Sequence, residues 1–181
     1  MPTLFTKNVN ENVVVSSIND SLLLILNMKT LIGAEFRTAV QKFESLIDEL
    51  AVTADFFDFV VGDLDKISEI FECLKSRQSA GSNCIQRERR PYSLFIAGAY
   101  LEDQICICAL NALAVGYDVY LLNDFTMPRN ITHRETFIAR LTQAGVVLST
   151  VQQMLYQWLA VETDQDRKTV LKKLLDYPYS L

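Results

Sequence analysis

Residues 94–117 read LFIAGAYLEDQICICALNALAVGY, and their order decides the fold. The apolar run of Leu94, Phe95, Ile96 and Ala97 ends at Gly98. A short polar turn with Glu102 and Asp103 follows, and an apolar helix begins near Gln104 and stops at Gly116. A short, continuous apolar run that leads through a glycine turn into a helix predicts a strand covered on both faces in a parallel sheet.

The same alternation extends along the chain. Residues 22–26 form another continuous apolar run, which reads as the first strand. Over 35–50, Phe36, Val40, Phe43, Leu46, Ile47 and Leu50 recur at helical spacing. A second strand is expected over 56–61, ended by Gly62 and Asp63. A helix from Asp65 to about Arg77 carries the stripe Ile67, Ile70, Phe71 and Leu74. Residues 78–91 are the only long irregular stretch, and they hold the basic cluster Arg87, Arg89 and Arg90. After the strand over 94–97 and its helix, a fourth strand is expected over 119–122. Thr132 with Glu135 reads as a capping box opening a helix that stops at Gly145. A fifth strand over 146–148 leads to Ser149 or Thr150 as the cap of a helix bearing Val151, Met154, Leu155 and Trp158. Asp164 caps a last helix running to about Leu175. Strands alternating with helices predict an α/β fold, a three-layer doubly wound parallel sheet with helices on both faces. Residues 1–20, polar and Asn-rich around Val13 to Val15, read as an arm with at most one edge strand, and 21–181 as a single domain.

Composition narrows the function. The chain has 181 residues, of which 50% are hydrophobic, enough for a substantial core. A formal net charge of −5 argues against nucleic acid as the partner, because phosphate binding needs a concentrated basic surface. The basic cluster reads as a solvated loop. The first residues lack a basic start followed by an apolar core, so no secretory signal is read there, and the four cysteines are expected as reduced thiols in an intracellular, chiefly cytoplasmic setting, an organelle such as the mitochondrion being the other option. No apolar stretch reaches the ~18 residues of a membrane span. With His133 the only histidine, a multi-histidine metal site is excluded and a Ser-His-Asp triad is disfavoured. Cys106 and Cys108 point to different helix faces and make a poor zinc pair. Neither metal nor cofactor is expected.

The stretch 94–117 resembles the nucleophile turn of the isochorismatase-like cysteine hydrolases, and 164–174 resembles the Lys-rich closing helix of their YcaC-like and isochorismatase-domain-protein branch. In that family the catalytic cysteine follows the turn glycine by six residues and precedes the helix-ending glycine by twelve. Counting from Gly98 and from Gly116 gives one position, and it holds Gln104. The likeness continues to the C-terminus. Residues 116–124, GYDVYLLND, are similar to the strand that follows the nucleophile helix, and 133–159 and 164–174 are similar to the closing elements.

The resemblance implies three chemical residues: an aspartate after the first strand as general base, an assisting lysine, and the cysteine. Here Asn27 stands in the place of the aspartate, and Lys29 in that of the glutamine that usually follows. An amide has no basic lone pair on nitrogen, and Gln104 has no nucleophilic atom. Lys66 lies close to the lysine's place, with a solvated residue of a helix's first turn as the equal alternative. The family's cis peptide after the turn glycine would fall between Ala99 and Tyr100. Asp124 either orients a ligand or caps the next turn. Cys106 lies two positions beyond Gln104, about 200° around the helix, and Cys108 one turn deeper, about 6 Å along it.

The reading is a fold that has lost its hydrolase activity and serves a structural or regulatory role as a homo-oligomer or with a protein partner. Two alternatives stand beside it. One is a hydrolase using displaced residues, Cys106 or Cys108 with Lys66 and Asp124. The other is a sensor in which Asn27, Ala99, Tyr100, Gln104 and Asp124 hold a small carboxylate or amide.

Overall fold

A computed structural model describes residues 16–27, 34–50, 52–58, 63–80 and 93–176, and the β-branched run at 13–15, Lys29 and residues 81–92 with the basic cluster lie outside them. Five strands, β1 (Ser21–Leu26), β2 (Thr53–Phe57), β3 (Ser93–Ala99), β4 (Asp118–Met127) and β5 (Val147–Ser149), form one sheet in the order β2-β1-β3-β4-β5. Every pairing is parallel. The helices are α1 (Ala34–Glu49), α2 (Leu64–Ala80), α3 (Cys106–Ala114), α4 (Arg134–Ala144), α5 (Val151–Val161) and α6 (Gln165–Leu175).

The two-residue period of the strands divides the core into two layers. Leu23 and Ile25 of β1, Phe95 and Ala97 of β3, and Leu122 and Phe125 of β4 pack with Phe43 and Ile47 of α1, Trp158 of α5 and Leu171 of α6. Their neighbours Leu22, Leu24, Leu94, Ile96, Val119 and Leu121 pack on the other side with Ile70 and Leu74 of α2, Ala109 and Ala112 of α3, and Leu141 of α4. The fold is therefore the three-layer α/β one, with the central strands buried on both faces as their unbroken hydrophobicity requires. Trp158 meets Phe95 edge-on at 5.7 Å, and its Nε1 donates to Oγ of Ser21 at 3.1 Å. Ahead of β1, Ser16 exchanges a 2.7 Å hydrogen bond with Ser93, and Ile18 enters the core.

Several boundaries differ from expectation. β2 runs over Thr53–Phe57 rather than 56–61, because its register is set by pairing with β1, Leu22 opposite Thr53 and Leu26 opposite Phe57. As an edge strand it carries the polar Asp55, which pairs with Arg77 of α2 at 2.8 Å. β5 is shifted by one residue to pair Tyr120 with Val147. Thr132 does not cap α4. Its hydroxyl donates to Oδ1 of Asn130 at 2.8 Å, which also receives the Thr132 amide at 3.0 Å, so a short 3-10 turn precedes the helix. Thr150 caps α5 in a reciprocal capping box with Gln153, and Asp164 caps α6 by accepting from the amides of Asp166 and Arg167.

β4 extends to Met127, well beyond 122. Ile96 of β3 faces Leu121 while Gly98 faces Thr126, so a step of two residues on β3 is matched by five on β4. This bulge is held by Thr126, whose hydroxyl donates to the Leu122 carbonyl at 2.7 Å, and by Arg134. The Arg134 guanidinium donates to the carbonyls of Thr126 (2.9 Å) and Asn123 (2.7 Å) and to the Asn123 side chain (2.6 Å). Arg134→Met keeps the aliphatic stem but strands these acceptors, so it is expected to lower stability by about 2 kcal/mol. Urea titration checks this, and a loss below about 0.5 kcal/mol would mean that the bulge holds its shape without the guanidinium.

Candidate functional site

In a doubly wound sheet, ligands bind outside the carboxyl ends of the strands where the strand order reverses, here between β1 and β3. Asn27 follows β1 directly, and Ala99, Tyr100 and Gln104 lie at and after the end of β3. The chain turns sharply there. Gly98 has a φ of 119°, the peptide between Ala99 and Tyr100 is cis as the resemblance implies, and Asn27 itself has a φ of 51°.

The expected helix start at Gln104 is instead a wide turn over Leu101–Ile105, after which the regular helix α3 begins at Cys106. Tyr100 offers one carbonyl to the amides of both Asp103 (3.2 Å) and Ile105 (3.4 Å), and Asp103 departs from helical backbone with φ −100° and ψ −106°. The wide turn draws Gln104 inward, and it is only 4% exposed.

The two amides meet. Nδ2 of Asn27, a residue only 2% exposed, donates to the carbonyl of Ala99 and, at 3.3 Å, to Oε1 of Gln104. Orientation follows from hydrogen-bond chemistry. The Ala99 carbonyl can only accept, so Asn27 must turn its nitrogen that way, and Gln104 must then present oxygen to the same nitrogen. A neutral amide pair thus occupies the centre of the switch point.

The Asn27 amide donates to the Phe57 carbonyl at 2.6 Å, and Asp58 is the next residue of the chain. Nζ of Lys66 lies 3.4 Å from the Asp58 carbonyl and 3.6 Å from the Asp63 carboxylate. Lys66 is thereby brought to the same end of the sheet. Asp124 uses both carboxylate oxygens on the Val151 amide, at 3.0 and 3.1 Å, and so caps α5. Burial raises its pKa, and the amide bonds offset this only in part. Cys106 and Cys108 are both buried among the residues packed on α2 and α4. Burial raises the Cys106 thiol and pushes Cys108 up to about 12. His133 is exposed, and Trp158 is core.

A second cluster had no signal in residue periodicity. Arg129, in the loop after β4, lies over the Tyr100 ring at 4.1 Å and pairs with Asp103. Glu102 accepts from the amides of Arg129 (2.7 Å) and Asn130 (2.9 Å). Burial raises the Glu102 pKa, but these amides together outweigh it and hold the carboxyl below its ordinary value. The acidic pair Glu102 and Asp103 follows one strand and the basic Arg129 follows the next, and that opposition was the available clue. It ties the turn after β3 to the loop after β4.

No family model matches the sequence, and no curated protein does. Among solved structures the chain superposes on YcaC from Escherichia coli, described as an octameric hydrolase of unknown specificity. The TM-score is 0.65 at 18% identity, covering 89% of each chain. YcaC from Pseudomonas aeruginosa, solved with hexane-2,5-diol and covalent acrylamide, matches with a TM-score of 0.61 at 16% identity, over 88% of this chain and 89% of that one. The MAR1 ribonuclease from Caenorhabditis elegans gives 0.56 at 12% identity, over 88% and 91%. These likenesses show the fold, which is the isochorismatase-like one.

Proposed function

We propose that this chain is a catalytically silent form of the isochorismatase-like fold, with a structural or regulatory role in an oligomer. The observation that carries this reading is the Asn27–Gln104 pair. Where the resemblance calls for a general base and a nucleophile, two neutral amides are bonded to each other, and neither can take up a proton or attack carbon near neutral pH. The displaced-residue alternative is disfavoured on the same grounds. Asp124 is engaged by α5, and the Cys108 thiol has no exposure and almost no thiolate at neutral pH.

Thiol labelling tests the proposal. With the Cys108 pKa at about 12, its thiolate population at pH 7 is expected to be about a thousandfold below that of the unfolded chain. Native protein treated with acrylamide or iodoacetamide should therefore label Cys108 far more slowly than protein in urea, as read by mass spectrometry. Rapid native labelling at a single site, Cys106 or Cys108, would restore the hydrolase reading.

Assembly is the second part of the proposal. The Escherichia coli neighbour is described as octameric. In this chain the edge strand β5 exposes Val147 (50%) and Leu148 (41%), and α5 exposes Tyr156 (55%). An apolar open edge invites pairing unless another chain covers it. Light scattering after size exclusion should show an oligomer, and Leu148→Lys should shift it toward monomer at equal concentration. A monomeric wild-type protein would remove this part. One structural neighbour is a ribonuclease, but the net charge of −5 opposes a polyanionic substrate for this chain. Among the described residues no helix is long and apolar enough to cross a membrane, and no His, Cys, Asp and Glu cluster suits a metal.

A further inference from the structure

We propose that residues 102–104 form a flap carrying Gln104, latched shut by Arg129 of the loop after β4, and that releasing the latch swings Gln104 away from Asn27. The latch is independent of whether the centre is silent. The flap hangs between two fixed ends. Leu101 and Ile105, on either side of it, are fully buried among the residues packed on α2, α3 and α4. Between these anchors the backbone holds itself poorly. The amides of Asp103 and Ile105 share the Tyr100 carbonyl at 3.2 and 3.4 Å, at and beyond the long end of amide hydrogen bonds, and Asp103 leaves the helical conformation. The bond from Nδ2 of Asn27 to Oε1 of Gln104 is also long, at 3.3 Å.

Closure comes from the neighbouring loop. The Arg129 guanidinium lies 4.1 Å from the centre of the Tyr100 ring, and its Nε and Nη2 both donate to Oδ2 of Asp103. Glu102 reaches the other way and accepts from the amides of Arg129 and Asn130. The loop itself is held elsewhere. Asn130 accepts from Thr132, and Arg134 donates to the carbonyls of Asn123 and Thr126. Of the two segments, the flap is therefore the one free to move. Its fastening is open to solvent, with Arg129 45% and Asp103 36% exposed, so water and salt screen the pair. A segment fastened by screened charge between buried anchors opens locally and leaves the core intact.

Amide hydrogen exchange followed by NMR on the full chain tests the latch, each rate being read as protection relative to the unstructured chain. Arg129→Gln removes the cation and keeps a polar side chain. Exchange at the Asp103 and Ile105 amides is expected to quicken about fivefold or more, with β3 and the interior of α3 unchanged. The Asn27 side-chain amide, which donates to Gln104, should quicken with them. In the unaltered chain, raising sodium chloride from about 0.05 M to about 1 M should quicken the same signals about twofold or more. Should the variant not fold, this salt series decides. Unchanged exchange at Asp103 and Ile105 in the folded variant, or a salt series without effect, would overturn the proposal. So would acceleration that spreads through β3 and α3, since that reports general loosening. A faster turn beside an unmoved Asn27 side-chain amide would overturn it as well, because the flap would then open without Gln104.

Discussion

Gly98→Ala is expected to lower the unfolding free energy by about 4 kcal/mol or more, or to leave the chain unable to fold. A β-carbon at Gly98 would lie 1.9 Å from the carbonyl oxygen of Leu26, 2.7 Å from its nitrogen and 2.8 Å from its carbonyl carbon. All three are backbone atoms of β1, which is paired on both sides and packed on both faces, so β1 cannot retreat without opening the sheet. The φ of 119° adds strain that an alanine tolerates poorly. Gly116→Ala is the control. Its φ of 96° is also left-handed, but an added carbon meets no atom within 4 Å, so about 1–2 kcal/mol of backbone strain is all that should appear. Urea titration of both variants checks the contrast. A Gly98→Ala loss no larger than that of Gly116→Ala would show that β3 does not approach β1 so closely.

Gln104→Cys is expected to create a thiol that reacts with iodoacetamide at least about a hundredfold faster at pH 7 than any native thiol described above. The new sulfur would sit ahead of α3, where the helix dipole and the Nδ2 donor of Asn27 both favour thiolate, in contrast to the purely apolar surroundings of Cys108. Adding Asn27→Asp should slow this labelling, because a neighbouring carboxylate disfavours the second negative charge. Mass spectrometry of the labelled peptides over time reads both effects. If the single variant labels no faster than the native thiols, position 104 is not open to reagent ahead of α3, and the proposed silent centre loses its geometric basis.

The layered fold was legible because buried parallel strands impose continuous apolar runs, and the helices between them impose a period of 3.6. β1 and β3, apolar apart from an opening serine in each, lie within a residue or two of the apolar runs. β2 was misplaced because an edge strand need not be apolar, and Asp55 with its Arg77 partner disguised its extent. β4 was read short because its bulge is stabilised from outside the strand, by Arg134. The cap of α4 was misread for a related reason: Asn130 competes for the Thr132 hydroxyl, and local spacing does not rank two eligible caps.

At the centre, residue identity settled the chemical types. The resemblance, counted from Gly98 and Gly116 and from the end of the first apolar run, implies reactive positions at 104 and 27, and both hold amides. That they touch was a matter of sheet pairing, since β1 and β3 are distant in sequence and adjacent in space. The sequence left Asp124 with two readings, and contact with the Val151 amide chose the cap. The direction of the Gln104 nitrogen, the burial of Cys108 and the clasp of Arg129 on Tyr100 likewise depend on long-range contacts. Composition and period constrain each segment through its own backbone, whereas a hydrogen bond's direction and a thiol's solvation depend on whichever remote atoms folding places beside them.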